Sequence, residues 1–146
     1  MKKILTLIFA ALILQGCTSV NVRKVDASAH AMKLVCIEQN PKVLVSDMLT
    51  VLEDGFQRHN IQTIIYRDKA PERCNYTLWY TATRGWDLAP FMNRAELRLR
   101  HRDEIIATAT YHHAGGFALN KWAGTSTKMT PVLDELLSGF DAKPMN

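Results

Sequence analysis

The sequence predicts an α/β fold of the α+β kind, a two-layer sandwich in which a mainly antiparallel sheet carries two helices on one face. Several segments alternate apolar and polar residues with the period of two that is typical of a half-buried strand. Two other segments repeat apolar residues at spacings of three and four, which is typical of an amphipathic helix. The most charged strand is apolar on one face only, so both helices should cover that face. We expect the order β-α-β-β-β-α, in a sheet of four strands or slightly more.

The first strand is predicted at 32–39, and a helix should follow it from Asn40-Pro41. Asn caps free amide groups well, and Pro at the first helical position removes no bonded amide. The apolar stripe of this helix comprises Val45, Met48, Leu49, Leu52 and Phe56. Gly55 should weaken the helix by about 1 kcal/mol relative to Ala, a cost that packing of the stripe should outweigh.

Two further strands are predicted at 61–67 and 75–84, and the segment Gly85 to Pro90 should end the second of them. The cleanest alternation follows at 94–102, where Ala95, Leu97 and Leu99 oppose Arg94, Glu96, Arg98, Arg100 and Arg102. This strand should be buried on one face and wet on the other.

The strand at 94–102 should form a hairpin with a last strand at 105–112, through a tight turn at Arg102-Asp103. Residues 114–124 are predicted to be a loop, and Trp86 and Trp122 should lock their loops onto the core. The last helix carries Val132, Leu133, Leu136, Leu137 and Phe140, with Thr130-Pro131 as its cap or first turn.

Composition indicates one globular domain. The chain has 146 residues, of which 47% are hydrophobic and 22% charged, and these values argue against disorder and against several membrane spans. The formal net charge is +4, and Lys2 and Lys3 contribute two of those charges. The remaining excess of positive charge is too small to indicate nucleic-acid binding.

The N-terminal segment has the pattern of a secretion signal. Lys2 and Lys3 precede an apolar run from Ile4 to Leu14, which is shorter than the roughly 20 residues that span a bilayer. The run ends in Leu14-Gln15-Gly16-Cys17, which resembles the lipobox of prokaryotic membrane lipoproteins. That resemblance implies cleavage after Gly16 and acylation of the Cys17 thiol. Thr18 stands where an aspartate would signal inner-membrane retention in enterobacterial lipoproteins, so delivery to the periplasmic face of the outer membrane is implied.

These signals predict a lipoprotein signal peptide at 1–16, a lipidated tether at 17–31 and a single periplasmic domain at 32–142. In element order and size, the mature chain resembles the small periplasmic domains of uncharacterised outer-membrane lipoproteins. It more distantly resembles the lipoprotein that plugs the outer-membrane lipopolysaccharide exporter. The expected partners are the membrane, through the lipid anchor, and an envelope protein, with no nucleic acid.

Cys36 and Cys74 are the two cysteines that remain once Cys17 is acylated. An even pair in an oxidising compartment favours a disulfide. Buried free thiols and a redox-active pair are the alternatives, although a redox pair normally has Cys-x-x-Cys spacing.

One face of the predicted sheet is the only candidate binding surface. Trp79, Arg98, Arg100 and Thr108 should lie there together, with Thr77, Thr81 and Thr110 beside them. An aromatic ring next to arginines suits anionic or sugar-bearing ligands, and the alternative is an ordinary solvated face whose charges discourage edge pairing.

The sequence predicts no metal site, no cofactor and no catalytic residues. His112 and His113 are adjacent on a strand and point to opposite faces, so they cannot converge on one ion. We found no Gly-x-Ser-x-Gly motif and no phosphate-binding glycine loop. Three functions stay open: a non-enzymatic accessory or binding module of the envelope, a carrier or sensor for a lipid, lipopolysaccharide part or glycan, and a hydrolase with an unrecognised site.

Overall fold

The structure is a computed structural model that describes residues 18–113 and 119–140. The predicted signal peptide at 1–16, the predicted acylation site Cys17 and part of the predicted loop at 114–124 lie outside the described residues.

The described chain forms one six-stranded sheet and two α-helices. In chain order the elements are β1 (Thr18–Arg23), β2 (Leu34–Glu38), α1 (Met48–Arg58), β3 (Gln62–Tyr66), β4 (Tyr76–Asp87), β5 (Ala89–His101), β6 (Glu104–His113), a 3-10 turn (Leu119–Trp122) and α2 (Thr125–Leu136). The strands lie in the order β1-β6-β5-β4-β2-β3. The pairs β1–β6, β6–β5 and β5–β4 are antiparallel, and β2 is parallel to β4 and β3. The predicted α+β class is confirmed. The predicted order β-α-β-β-β-α lacks β1 and lists three strands between the helices, whereas four occur, each at a segment that the sequence predicts (61–67, 75–84, 94–102 and 105–112).

The core lies between the sheet and the two helices. Alternate residues of the long strands are buried there, and cross-strand pairs such as Leu78–Leu99 and Leu97–Ala109 fill neighbouring positions. The helices also pack on each other at Gly55 of α1, where an added Cβ would lie 2.5 Å from Cδ1 of Leu133 in α2. Gly55 therefore allows a close approach of the helices, which offsets its poor helix propensity.

The structure corrects the predicted tether at 17–31. Residues Thr18–Arg23 form β1 at one edge of the sheet, where Val20 lies opposite Tyr111 and Val22 opposite Ala109. Farther along, Val25 and Met32 are buried, and the Val25 amide donates to the Leu136 carbonyl over 2.9 Å. The described part of the predicted tether therefore belongs to the folded domain.

Both helices begin elsewhere than the sequence predicts. The Asn40 side chain accepts a hydrogen bond from the Lys42 amide over 3.0 Å, so it closes a local turn, and α1 begins only at Met48. Helix α2 begins at Thr125 and contains Pro131 inside it. A proline within a helix removes one backbone hydrogen bond, and here the apolar packing of α2 holds the helix together on both sides of it.

Strands β4 and β5 continue past the predicted end at Gly85 to Pro90 and form a long hairpin that turns at Leu88. A Cβ on Gly85 would lie 2.8 Å from Cζ of Phe91 on the opposite strand. Gly85 thus makes room for the Phe91 ring, and the glycine read as a strand terminator is a packing residue.

Cys36 and Cys74 form a disulfide, which confirms the predicted pairing, with 5.8 Å between their Cα atoms. The bond joins the middle of β2, where Cys36 is fully buried, to the segment that leads into β4. It therefore fixes the parallel part of the sheet to the loop that leads from β3 across β2 to β4.

Candidate functional site

The side of the sheet that faces away from the helices, here called the open face, brings the predicted binding residues together. Trp79 on β4 lies directly opposite Arg98 on β5, and Arg98 lies opposite Thr108 on β6. Arg100 follows two residues along β5, opposite Thr77. The four residues that we predicted to form one surface are therefore neighbours on three adjacent strands.

Arg98 makes two interactions that fix its position. Its guanidinium carbon lies 5.1 Å from the centre of the Trp79 ring, a cation–π geometry. Its Nε and Nη2 atoms also donate to Oε1 of Glu96, over 2.7 and 2.6 Å. Glu96 thus neutralises the arginine that an anionic ligand would need.

Glu96 is the charged residue of the open face that the predicted binding surface does not include. It precedes Arg98 by two positions on β5, so the two side chains share a face. That spacing is visible in the sequence and is the signal that could have found the pair.

Arg100 is the more available cation of the open face. Its side chain is exposed and forms no ion pair with any residue in 18–113 or 119–140. It lies near Tyr66 of β3, where burial and the Glu38 carboxylate raise the pKa of the Tyr66 hydroxyl and the Arg100 charge lowers it. Arg100 and Trp79 share the open face on neighbouring strands, and this pairing of a cation with an aromatic ring suits a ligand that has a negative charge and a flat apolar or sugar face.

The three histidines of the second half of the chain do not converge. His112 is exposed and His113 is buried, as expected for neighbours on a strand. His101 lies at the other end of the sheet, where its ring stacks on Tyr76 with 4.7 Å between ring centres. Within the described residues, no three metal-binding side chains gather into a site.

His113 is a buried titratable group whose two ring nitrogens have different surroundings. Its Nδ1 lies 3.0 Å from the Thr18 hydroxyl, and its Nε2 is buried without a hydrogen-bond partner. Burial lowers the pKa of His113, and the nearby charges of Lys128 and Lys121 lower it further. A histidine that activates a hydroxyl needs an acceptor on its other nitrogen, and the described surroundings of Nε2 supply none.

Lys128 supports the same region from helix α2. Its buried Nζ donates to the carbonyls of Met92 and Lys121, over 3.0 and 2.5 Å, and burial lowers its pKa. The lysine therefore ties α2 to β5 and to the 3-10 turn, and its role there is structural.

The described residues include no helix with the length and apolar character needed to cross a membrane.

Comparisons with known proteins show a fold and no family. The sequence matches no protein-family model, and no curated protein matches it. Among solved structures, the chain is similar to the PelC dodecamer from Paraburkholderia phytofirmans, with a TM-score of 0.54 and 13% sequence identity over 85% of this chain and 99% of that one. A variant of the same PelC with one leucine changed to methionine gives a TM-score of 0.49 and 11% identity, over 80% of this chain and 97% of that one. At these identities the likeness concerns the fold alone.

Proposed function

We propose that this protein is a lipoprotein of the outer membrane, held at its periplasmic face by acyl chains on Cys17, and that it acts as a non-enzymatic accessory or binding module of the cell envelope. The observation that carries the proposal is the lipobox Leu14-Gln15-Gly16-Cys17 directly before β1. Because β1 begins at Thr18, an anchor on Cys17 would hold the sheet against the membrane with almost no slack. Such a protein would work at the membrane surface.

The environment of His113 supports a role without catalysis. Its one described hydrogen bond is to Thr18, the first residue after the anchor, and its Nε2 is unpaired. The packing of the core points the same way, since large side chains from both helices and the sheet, among them Phe56, Leu97 and Leu133, are fully buried between the layers. These features favour the accessory role over the hydrolase hypothesis and over a carrier with an internal cavity.

A second candidate function is binding of an anionic glycan or lipopolysaccharide part on the open face. The Trp79–Arg98 contact of 5.1 Å and the exposed Arg100 beside it favour this function. Affinity should be modest, because Glu96 already pairs with Arg98.

The comparison with solved structures suggests further copies of this chain as its partner. PelC is described as a dodecamer, and this chain has its fold. We therefore include assembly of several copies in the proposal, with native mass spectrometry of the detergent-extracted protein as its measurement. A single-copy mass at all concentrations would remove this part of the proposal.

The anchor is tested in growing bacteria that express the full chain and are fed a labelled palmitate. We expect label in the protein and none in Cys17→Ser, and we expect the protein at outer-membrane density in a sucrose gradient. In an enterobacterial host, Thr18→Asp should move it to inner-membrane density. An unlabelled protein in the soluble periplasmic fraction would refute the proposal.

Binding to the open face is tested by titration with a lipopolysaccharide core oligosaccharide, followed by tryptophan fluorescence. Trp79→Phe should abolish the fluorescence change, whereas Trp122→Phe, which alters a tryptophan away from the open face, should keep it. An equal response in both variants would show that the ligand binds elsewhere.

A further inference from the structure

We propose that one end of the domain enters the interfacial region of the bilayer, with Trp86 and Leu88 at the deepest point. This end, here called the loop end, comprises the turns at 39–47, 86–90 and 119–124. The inference rests on the proposed function, because the acylated Cys17 would bring the loop end to the membrane. The bound surface is a phospholipid bilayer with negatively charged headgroups.

The first argument is the distribution of exposed apolar side chains. Five large apolar residues of the described chain are exposed, and four of them belong to the loop end: Leu44, Trp86, Leu88 and Trp122. The most exposed are Leu88 at 86% and Trp86 at 76%. A cluster of exposed apolar side chains marks a site of membrane or protein interaction.

Contacts across the loop end show that its turns are neighbours. The Trp122 indole nitrogen donates to the Asp87 carbonyl over 2.9 Å. Val45, next to Leu44, lines the same open depression of about 380 Å³ as Arg84 and Trp122. The exposed apolar side chains therefore belong to one surface, although they come from three separate parts of the sequence.

The second argument is where the anchor leaves the sheet. Thr18 pairs with His113, and the residue before His113 pairs with Arg94 on β5. The β4–β5 hairpin continues from this level for about five more residues to Leu88, on the order of 15 Å at the usual strand rise. Each polar layer of a bilayer is roughly 5–8 Å thick. A hairpin of this reach, next to an acylated Cys17, would pass through the headgroups to the edge of the acyl chains.

The third argument is the turn residue itself. Leu88 has φ of 59°, a left-handed conformation that Gly or Asn adopts at lower cost. Gly, Asn and Asp are the usual residues at such turn positions, and Arg102 of the β5–β6 turn is the other large side chain with a positive φ among the described residues, at 55°. Leu88 has an unfavourable backbone conformation, and its apolar side chain is exposed to water. Burial of that side chain in acyl chains would recover the free energy that its exposure costs.

The charges in and beside the loop end suit an anionic surface. Lys42 of the loop end is exposed, as are Arg84 and Arg94 on the adjoining parts of β4 and β5. The two aspartates of the loop end already have partners, since Asp47 accepts a hydrogen bond from the Thr125 hydroxyl and Asp87 is paired with Lys121. Tryptophan is enriched at membrane interfaces, and basic side chains near the surface are attracted to anionic headgroups. This combination favours a lipid surface over the apolar face of a second copy.

The experiment uses the full mature protein, extracted with its acyl chains and reconstituted into vesicles of phosphatidylcholine and phosphatidylglycerol. An environment-sensitive fluorophore is attached at Leu88→Cys, because Cys17 is acylated in this material and Cys36 and Cys74 are bonded to each other. The matched control is Asp103→Cys, which places the same probe in the β5–β6 turn at the opposite end of the sheet. Intact mass of each preparation verifies the acyl chains first.

We expect a blue shift, a severalfold rise in emission and quenching by brominated lipids for the probe at position 88, and none of these at position 103. Leu88→Asn should keep the turn, since Asn tolerates positive φ, and should reduce quenching of the native tryptophans. A water-like, unquenched probe at 88 in verified lipidated protein would overturn this inference and leave the anchor intact. A blue shift at 88 without quenching by brominated lipids would identify a second copy as the occupant, which also overturns it. Absence of acyl chains would instead refute the proposed function.

Discussion

Removal of the Cys36–Cys74 disulfide should cost the domain a large part of its stability. The bond closes a loop with a sequence separation of 38, and the chain-entropy model gives about 4 kcal/mol at 25 °C for that length. Replacement of both cysteines by alanine should add up to about 1 kcal/mol, because Cys36 is fully buried and its sulfur leaves a small cavity. Domains of this size are stable by only about 5–15 kcal/mol.

The assay is urea unfolding of residues 18–146, followed by circular dichroism. Three samples are compared: the oxidised protein, the same protein kept reduced, and Cys36→Ala/Cys74→Ala. With a denaturant slope of about 2 kcal/mol per M, the midpoint should fall by roughly 2 M for the double variant. The reduced protein should lie slightly above it, because it keeps both sulfur atoms.

A midpoint shift below about 0.5 M, with an unchanged slope, would amount to less than about 1 kcal/mol and would contradict the reasoning. Such a result would mean that the denatured chain between the two cysteines is already restricted. Equal urea midpoints for the oxidised and the reduced protein would show instead that the bond does not form in the folded state.

Three further substitutions test the packing and the charges. Gly55→Ala should lower the free energy of unfolding by about 1 kcal/mol, because a clash with Leu133 outweighs the gain in helix propensity. The Cδ1 atom of Leu133 would lie 2.5 Å from the new Cβ. A variant that is more stable in urea than the wild type would contradict this prediction. Burial lowers the pKa of His113, so the unfolded chain binds a proton that the folded chain does not, and stability should fall as the pH drops below about 6.5. His113→Gln should show a smaller fall between about pH 7.5 and pH 5.5, and an identical fall would count against His113 as the source. Burial raises the pKa of Asp134, but hydrogen bonds from Arg58 and His59 outweigh this effect and hold the pKa below its usual value. Asp134→Asn should therefore lower the free energy of unfolding by about 0.5–1 kcal/mol at neutral pH. This difference should vanish as the wild-type carboxylate is protonated in acid, and a difference that persists there would exclude the charge as its cause.

The sheet was predictable where alternation was long. The strands around Leu97 and Ala109 have unbroken periods of two, and their hairpin and turn occur as expected. The neighbours Trp79 and Arg98 followed from the same alternation, since register determines which side chains share a face. The disulfide was predictable because the cysteine number and the predicted oxidising compartment leave few pairings.

Local signals failed where tertiary contacts or side-chain turns competed with them. Strand β1 shows only the short alternation Val20-Asn21-Val22, and it is stabilised by pairing with β6, which the sequence does not display. Asn40 is as good a turn residue as a helix cap, and the turn is what forms. Trp86 was expected to pack its loop onto the core, but it is largely exposed, because it lies near the tip of the β4–β5 hairpin, two residues before the turn at Leu88.

The anchor on Cys17 is tested most directly by an intact mass spectrum of the protein extracted from membranes, recorded before and after reduction. The account predicts the mass of residues 17–146 plus a diacylglyceryl group and one acyl chain, with a gain of two hydrogens when Cys36–Cys74 is reduced. An unacylated mass, or one in which residues 1–16 remain attached to the chain, would contradict it.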